Sequence, residues 1–269
     1  MSNYVYPFSI LDKEDRISLA NIAVTNFTNE DLDILVNDPD WEVRKIIAEY
    51  GREKNLDVLV NDSDWHVRAE VAFHGRNKDL DILVKDSDWH VRAAVASKAR
   101  YKDYDILVND PSHLVRCMVA LHYIRYKDLN ILVHDDNFLV RKVIASKGCP
   151  EYLDILVNDK DFMVRAEVAR QGREKDLDIL VHDPDWNVRL EVAKCGRGKD
   201  LDILVNDTDV CIRKFIASNG RYKDLDILVN DPDWEIRYEV AKHCRPKDLM
   251  ILINDKNTLI SDYASKYNI

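Results

Sequence analysis

The sequence writes one 24-residue unit about ten times over, and that periodicity constrains its fold more than any other feature. The stretch DLDILVNDPDWEVRKIIAEYGR beginning at Asp31 returns as NLDVLVNDSDWHVRAEVAFHGR from Asn55 and as DLDILVKDSDWHVRAAVASKAR from Asp79. An arginine marks the phase at Arg44, Arg68, Arg92, Arg116, Arg141, Arg165, Arg189, Arg213 and Arg237. Every step is 24 residues except the one of 25 from Arg116 to Arg141, where LHYIR, residues 121–125, carries one extra residue. Residues 248–269 form a degenerate tenth unit with Ser261 in the arginine's place. Residues 1–30 read as half a unit, with Asp12, Arg16, Ile17, Leu19 and Ala20 echoing the second half. Self-similarity at this period is the mark of a solenoid, in which each repeat covers its neighbour's apolar face.

Each unit reads as two short helices. In the second, Asp38 is placed as N-cap, Pro39 as first helical residue and Asp40 as first-turn negative charge. Val43, Ile47 and Ala48 then form an apolar stripe, and Gly51 closes the helix as a left-handed C-cap. The first half is opened by Asp31, Asn55, Asp79 or Asp103 and leaves room for one or two turns, a 3₁₀ segment or a stubby α-helix. Its apolar run could alone be a buried strand, but the opening Asp and the lack of alternation favour a helix. Two such helices cannot by themselves cover Leu32, Ile34, Leu35, Val36, Val43, Ile47 and Ala48. The units must therefore stack, which predicts an all-α solenoid comprising 1–30, the nine repeats of 31–247 and 248–269 in one continuous domain. Only seven Gly and seven Pro punctuate the chain, too few for an all-β fold or a long linker.

A unit of the form LxxLxxDxxxxVRxxVA resembles the leucine-rich repeat variant family, and its second half is similar to short HEAT-like repeats. The match runs from about residue 31 to 265, with Leu35, Leu59, Leu83, Leu107, Leu132, Leu156, Leu180, Leu204, Leu228 and Leu252 filling one position throughout. The resemblance implies a right-handed superhelix of alternating α and 3₁₀ helices, and it implies no reaction. Some members of that family hold an iron–sulfur centre on an N-terminal cysteine cluster. Here no cysteine precedes Cys117, so that cofactor is not carried over and none is expected.

The chemistry-bearing residues belong mostly to the repeat. The Asp six before the arginine recurs in all ten units, from Asp38 to Asp255, and a feature copied ten times is scaffold rather than an active site. The arginine is expected to pair with carboxylates of its own or the next unit as a ladder. Trp41, Trp65, Trp89, Trp186 and Trp234 share one position, which points to packing between successive second helices rather than to a ligand-stacking row. His66 and His90 lie a helix spacing apart, too far for one zinc ion, and are expected on a solvated face. Five scattered cysteines, no CxxC pair and no Gly-rich phosphate loop leave nothing for covalent or nucleotide chemistry, so no enzyme is expected. Free thiols and the absence of a secretory leader or an apolar run of 18 residues predict a cytoplasmic, monomeric protein without a membrane span.

Departures from the repeat carry the functional expectation. In units four to six, residues 97–169, Trp gives way to His113, Phe138 and Phe162, and the polar residue after it becomes Leu114, Leu139 and Met163. Tyr101, Tyr104, Tyr123, Tyr126 and Tyr152 crowd the same region. Residues 1–96 hold 11 basic and 19 acidic side chains, 97–169 hold 11 of each, and 170–269 hold 17 and 19. A neutral, aromatic middle suits a protein-binding surface, with Leu114, Leu139, Met163, Phe138, Phe162, Tyr101 and Tyr126 as its residues. The alternative is that these side chains only fill space where Trp is missing. Two further partners stand behind this one. A Lys/Arg stripe (Lys54, Lys78, Lys102, Lys127, Lys175, Lys199, Lys223 and Lys247, with Arg52 through Arg245) could contact nucleic acid, although 39 basic against 49 acidic residues opposes it. The surplus carboxylates of units one to three could instead mimic nucleic acid in an acidic inhibitor.

Overall fold

The computed structural model describes residues 12–26, 29–50, 52–98, 100–122 and 125–267. Gly51, Tyr123 and the middle of the LHYIR insertion fall outside them. All regular structure among the described residues is α-helical, in strict alternation: a seven-residue helix such as Glu53–Leu59, then one of eight to ten such as Trp65–His74. The helix Lys13–Asn26 stands before the first pair. The described residues form two compact units, 1–140 and 141–269. In the first, the long helices Trp41–Glu49, Trp65–His74, Trp89–Ala96 and His113–Leu121 pack each on the next. In the second, Phe162–Arg170, Trp186–Lys194, Val210–Asn219, Trp234–Ala241 and Thr258–Tyr267 do the same. The short helices bridge these stacks, so each unit is a run of an α-solenoid.

One set of positions makes the core. Leu56, Leu59 and Val60 of the short helix and Val67, Val71 and Ala72 of the long one are buried, and their equivalents repeat down both units. Ile34 departs from expectation. It lies about 200° around the helix from Leu32, outside the i, i+3, i+4 stripe of Leu32, Leu35 and Val36, and stays half exposed. The short helices are α rather than 3₁₀, although both ends tighten. Asp79 N–H donates to the Arg76 carbonyl, and Lys85 and Asp86 donate to Ile82 and Leu83, all i to i−3.

The capping differs from the sequence expectation at both helices, for one reason. The long helix begins at Trp41, and its cap is Asp40, whose carboxylate accepts from Glu42 N–H at 2.9 Å. Asp38 instead accepts from Asp40 N–H at 2.8 Å and takes the Arg16 guanidinium at 3.0 Å. Asn55, Asp79 and Asp103 are not caps either, because they sit buried at the third position of the short helix. The true cap residues there are Arg52, Arg76 and Arg100. Arg76 folds back so that its Nε and Nη2 donate to Asp79 at 2.5 and 2.8 Å. At Asp38, Asp79 and Asp103 a carboxylate read as a cap is spent on a guanidinium, while Asn55 donates through Nδ2 to the Leu32 carbonyl at 3.0 Å.

Those guanidiniums join the repeats. Arg189 donates through Nε and Nη2 to both oxygens of Asp207 in the next repeat, at 2.7 and 2.8 Å, while Nη1 donates to the Asp183 carbonyl of its own repeat at 2.8 Å. The same bidentate rung recurs at Arg44–Asp62, Arg68–Asp86, Arg92–Asp110 and Arg116–Asp135 in the first unit. In the second it recurs at Arg141–Asp159, Arg165–Asp183, Arg213–Asp231 and Arg237–Asp255. Two long helices are capped by a left-handed glycine, Gly75 and Gly220, and in the turn after Trp234–Ala241 Cys244 takes that conformation at φ 51° with a β-carbon.

The Arg237 guanidinium holds Asp255 below its ordinary carboxylate range. A depressed folded pKa contributes stability that is present above about pH 4 and lost as pH falls through the depressed value. Asp255→Asn is therefore expected to cost about 2–3 kcal/mol in urea unfolding at pH 7. The gap from the parent protein should narrow at pH 3, and a gap independent of pH would contradict the assignment. Cys244→Gly should stabilise by about 1 kcal/mol by removing left-handed strain, read as a raised midpoint in the same titration.

Candidate interaction surfaces

Three side-chain rows run along the repeats. In the first, the position after Trp does what the sequence did not suggest. His66 is not on a freely solvated face but is stacked between two indoles, its ring 4.2 Å from Trp41 of the preceding repeat and 3.6 Å from Trp65. His90 repeats this with Trp65 at 4.0 Å and Trp89 at 3.6 Å. Five rings thus form one column, each imidazole also held through Nδ1 by the helix-capping carboxylate, Asp64 or Asp88, at 2.9 Å. The expected packing by Trp is therefore real in repeats one to three, through histidine. Trp186 and Trp234, followed one repeat later by Cys211 and Leu259, stand exposed instead.

At this position in repeats four to six, Leu114, Leu139 and Met163 remain 38%, 36% and 40% exposed. Phe138 and Phe162, which replace Trp beside them, are half-buried. Tyr101 and Tyr126 are exposed, but they open the short helices, whereas Leu114 and Leu139 sit at the start of the long ones. A seven-residue helix, about 10 Å, separates the two ends, so tyrosines and leucines occupy different edges of their repeats. Tyr104 is part of neither edge. It fills a core leucine position, fully buried, and burial pushes its hydroxyl up to about 12.

The second row is the Lys/Arg stripe, and it is cancelled within the chain. Asp57 takes both Arg76 at 2.9 Å and Lys78 at 2.5 Å from the next repeat, and Asp81 takes Arg100 and Lys102 likewise. Asp105, Asp154, Asp178, Asp202 and Asp226 do the same. Arg125 and Lys127 together draw Asp105 down to about 2. With the buried Asp of the short helices from Asp79 onward counted, two cations meet two anions wherever Arg, Lys and Asp are all present. Beside Arg52 and Lys54 the neutral Asn55 takes the buried position instead, and Asp33 pairs with Lys54. In the sixth repeat Cys149, Glu151 and Tyr152 stand where Arg, Lys and Asp are found elsewhere.

The third row was missed in the sequence. Ile34, Val58, Ile82, Ile106 and Ile131 in the first unit, and Ile155, Ile179, Ile203, Ile227 and Ile251 in the second, are 44–52% exposed. The signal was present: one β-branched residue in constant phase, off the i, i+3, i+4 stripe. Three residues further on lies an exposed Asn at 37, 61, 109, 158, 206, 230 and 254, with Lys85, His134 and His182 in the other repeats. Between repeats these rows border shallow clefts of about 400 Å³ (Asn109, Ile131, His134), 500 Å³ (Asn206, Ile227, Asn230) and 330 Å³ (Asn230, Ile251, Asn254). The Arg–Asp rungs floor each cleft.

Among the described residues no group of three His, Cys, Asp or Glu is placed to hold a metal ion, and no helix is long and apolar enough to cross a membrane. Burial pushes the Cys117 and Cys195 thiols up, away from a reactive thiolate.

This geometry is that of an α-solenoid. A solved structure described as a leucine-rich repeat variant with a novel repetitive structural motif is 24% identical to this chain. It superposes with a TM-score of 0.65 over 77% of this chain and 88% of that one. YibA of Escherichia coli is 16% identical over 96% of this chain and 97% of that one, with a TM-score of 0.28. A designed armadillo repeat protein for modular peptide recognition is 11% identical over 95% and 98%, with a TM-score of 0.13. Superpositions as poor as these last two carry no structural argument. No family model matches the sequence, and no curated protein matches it.

The ring column gives a local test. Trp65→Leu removes two stacks and should destabilise by about 1–3 kcal/mol. Trp186→Leu, with no ring partner among the described residues, should cost less than half as much in the same urea titration. Equal costs would show that the stacking contributes nothing.

Proposed function

We propose that this chain is a non-catalytic repeat scaffold that binds a protein partner through the apolar and aromatic side chains of repeats four to six. The observation carrying this reading is the coordinated replacement of a polar or ring-stacked position by Leu114, Leu139 and Met163, each more than a third exposed. The exposed part of each Leu or Met side chain costs solvation, whereas interface cores are enriched in Met and aromatics and depleted of charge. Phe138 precedes Leu139 and Phe162 precedes Met163 at the start of their long helices, and Tyr101 and Tyr126 offer a second contact at the start of the short ones. Catalysis has no support, because the carboxylate–guanidinium constellations recur as ladder rungs and the half-buried thiols Cys117 and Cys195 are shifted away from reactivity.

Nucleic acid is disfavoured by the pairing of the stripe's cations within the chain. The stripe lysines from Lys54 to Lys247 that face a preceding Asp are each ion-paired with it, so binding a phosphate backbone would break as many contacts as it made. Acidic mimicry is disfavoured in turn, because the repeated aspartates of repeats one to three, such as Asp57, Asp62 and Asp86, are held by guanidiniums, backbone amides or lysines.

The test is capture of partners from lysate on the immobilised chain, compared with the double variant Leu139→Asp/Met163→Asp. Both positions are solvent-facing, so helicity should be unchanged. Partners held by the parent protein should be lost from the variant at least tenfold, because each Asp places a charge in an apolar contact. Identical partners at identical yield would overturn the assignment of this surface. A gel shift with duplex DNA at low salt should show no complex.

A further inference from the structure

We draw no further inference here: the strongest candidate, the patch of exposed apolar side chains Met250, Ile253 and Leu259 on the last repeat, carries nothing, because nothing in the structure shows what covers it.

Discussion

Each repeat is fastened to the next by one bidentate guanidinium–carboxylate rung, and much else follows from where that rung must sit. The arginine reaches forward to the next repeat with two nitrogens and holds its own repeat's turn with the third, as at Arg189. The receiving Asp also accepts a backbone N–H two residues on, as Asp207 does from Asp209 at 2.8 Å. A single carboxylate therefore sets the turn between the short and long helix and the register between neighbours. Pairing of this kind is stabilising only when the remaining donors and acceptors are satisfied, and in these rungs they are.

The rung also explains how the surface is partitioned. Because Arg and Asp at the inter-helix turn, and Arg, Lys and two Asp at the other edge, cancel one another, most of the chain's charge is committed internally. What distinguishes one stretch from another is then the uncharged remainder. In repeats one to three this remainder is a stack of rings, in repeats four to six exposed Leu, Leu and Met, and along the short helices a row of isoleucines beside asparagines. The net charge of −10 describes the composition but none of these surfaces.

The repeat, its helical character and the buried positions were legible because each depends on periodicity, which a sequence displays directly. Leu35 and Val43 and their copies could be placed inside without coordinates. The caps were misread because Asp at a helix start has two physical uses, and nothing local distinguishes them. Asp40 bonds an amide, while Asp38 and Asp79 take a guanidinium from 22 or 3 residues away. The histidines were misread because stacking on Trp41 or Trp65 joins residues of different repeats. Ile34 was assigned to the core by its type, although its angular position already excluded it. Of the surface of repeats four to six, the composition was legible and the exposure was not. That Tyr101 and Leu114 lie at different edges follows only from the length of the helix between them.

The one 25-residue step holds a consequence of a different kind. Arg116 still meets Asp135 in bidentate geometry, although 19 residues separate them where 18 is the rule. The donor at the exit of each repeat and the acceptor at the entrance of the next are the same everywhere, so whole units can be duplicated, deleted or exchanged without stranding a charge. A gene encoding such a chain can lengthen or shorten by multiples of 72 nucleotides with the joint between repeats preserved each time. The surfaces, which are not part of the joint, are then free to diverge copy by copy.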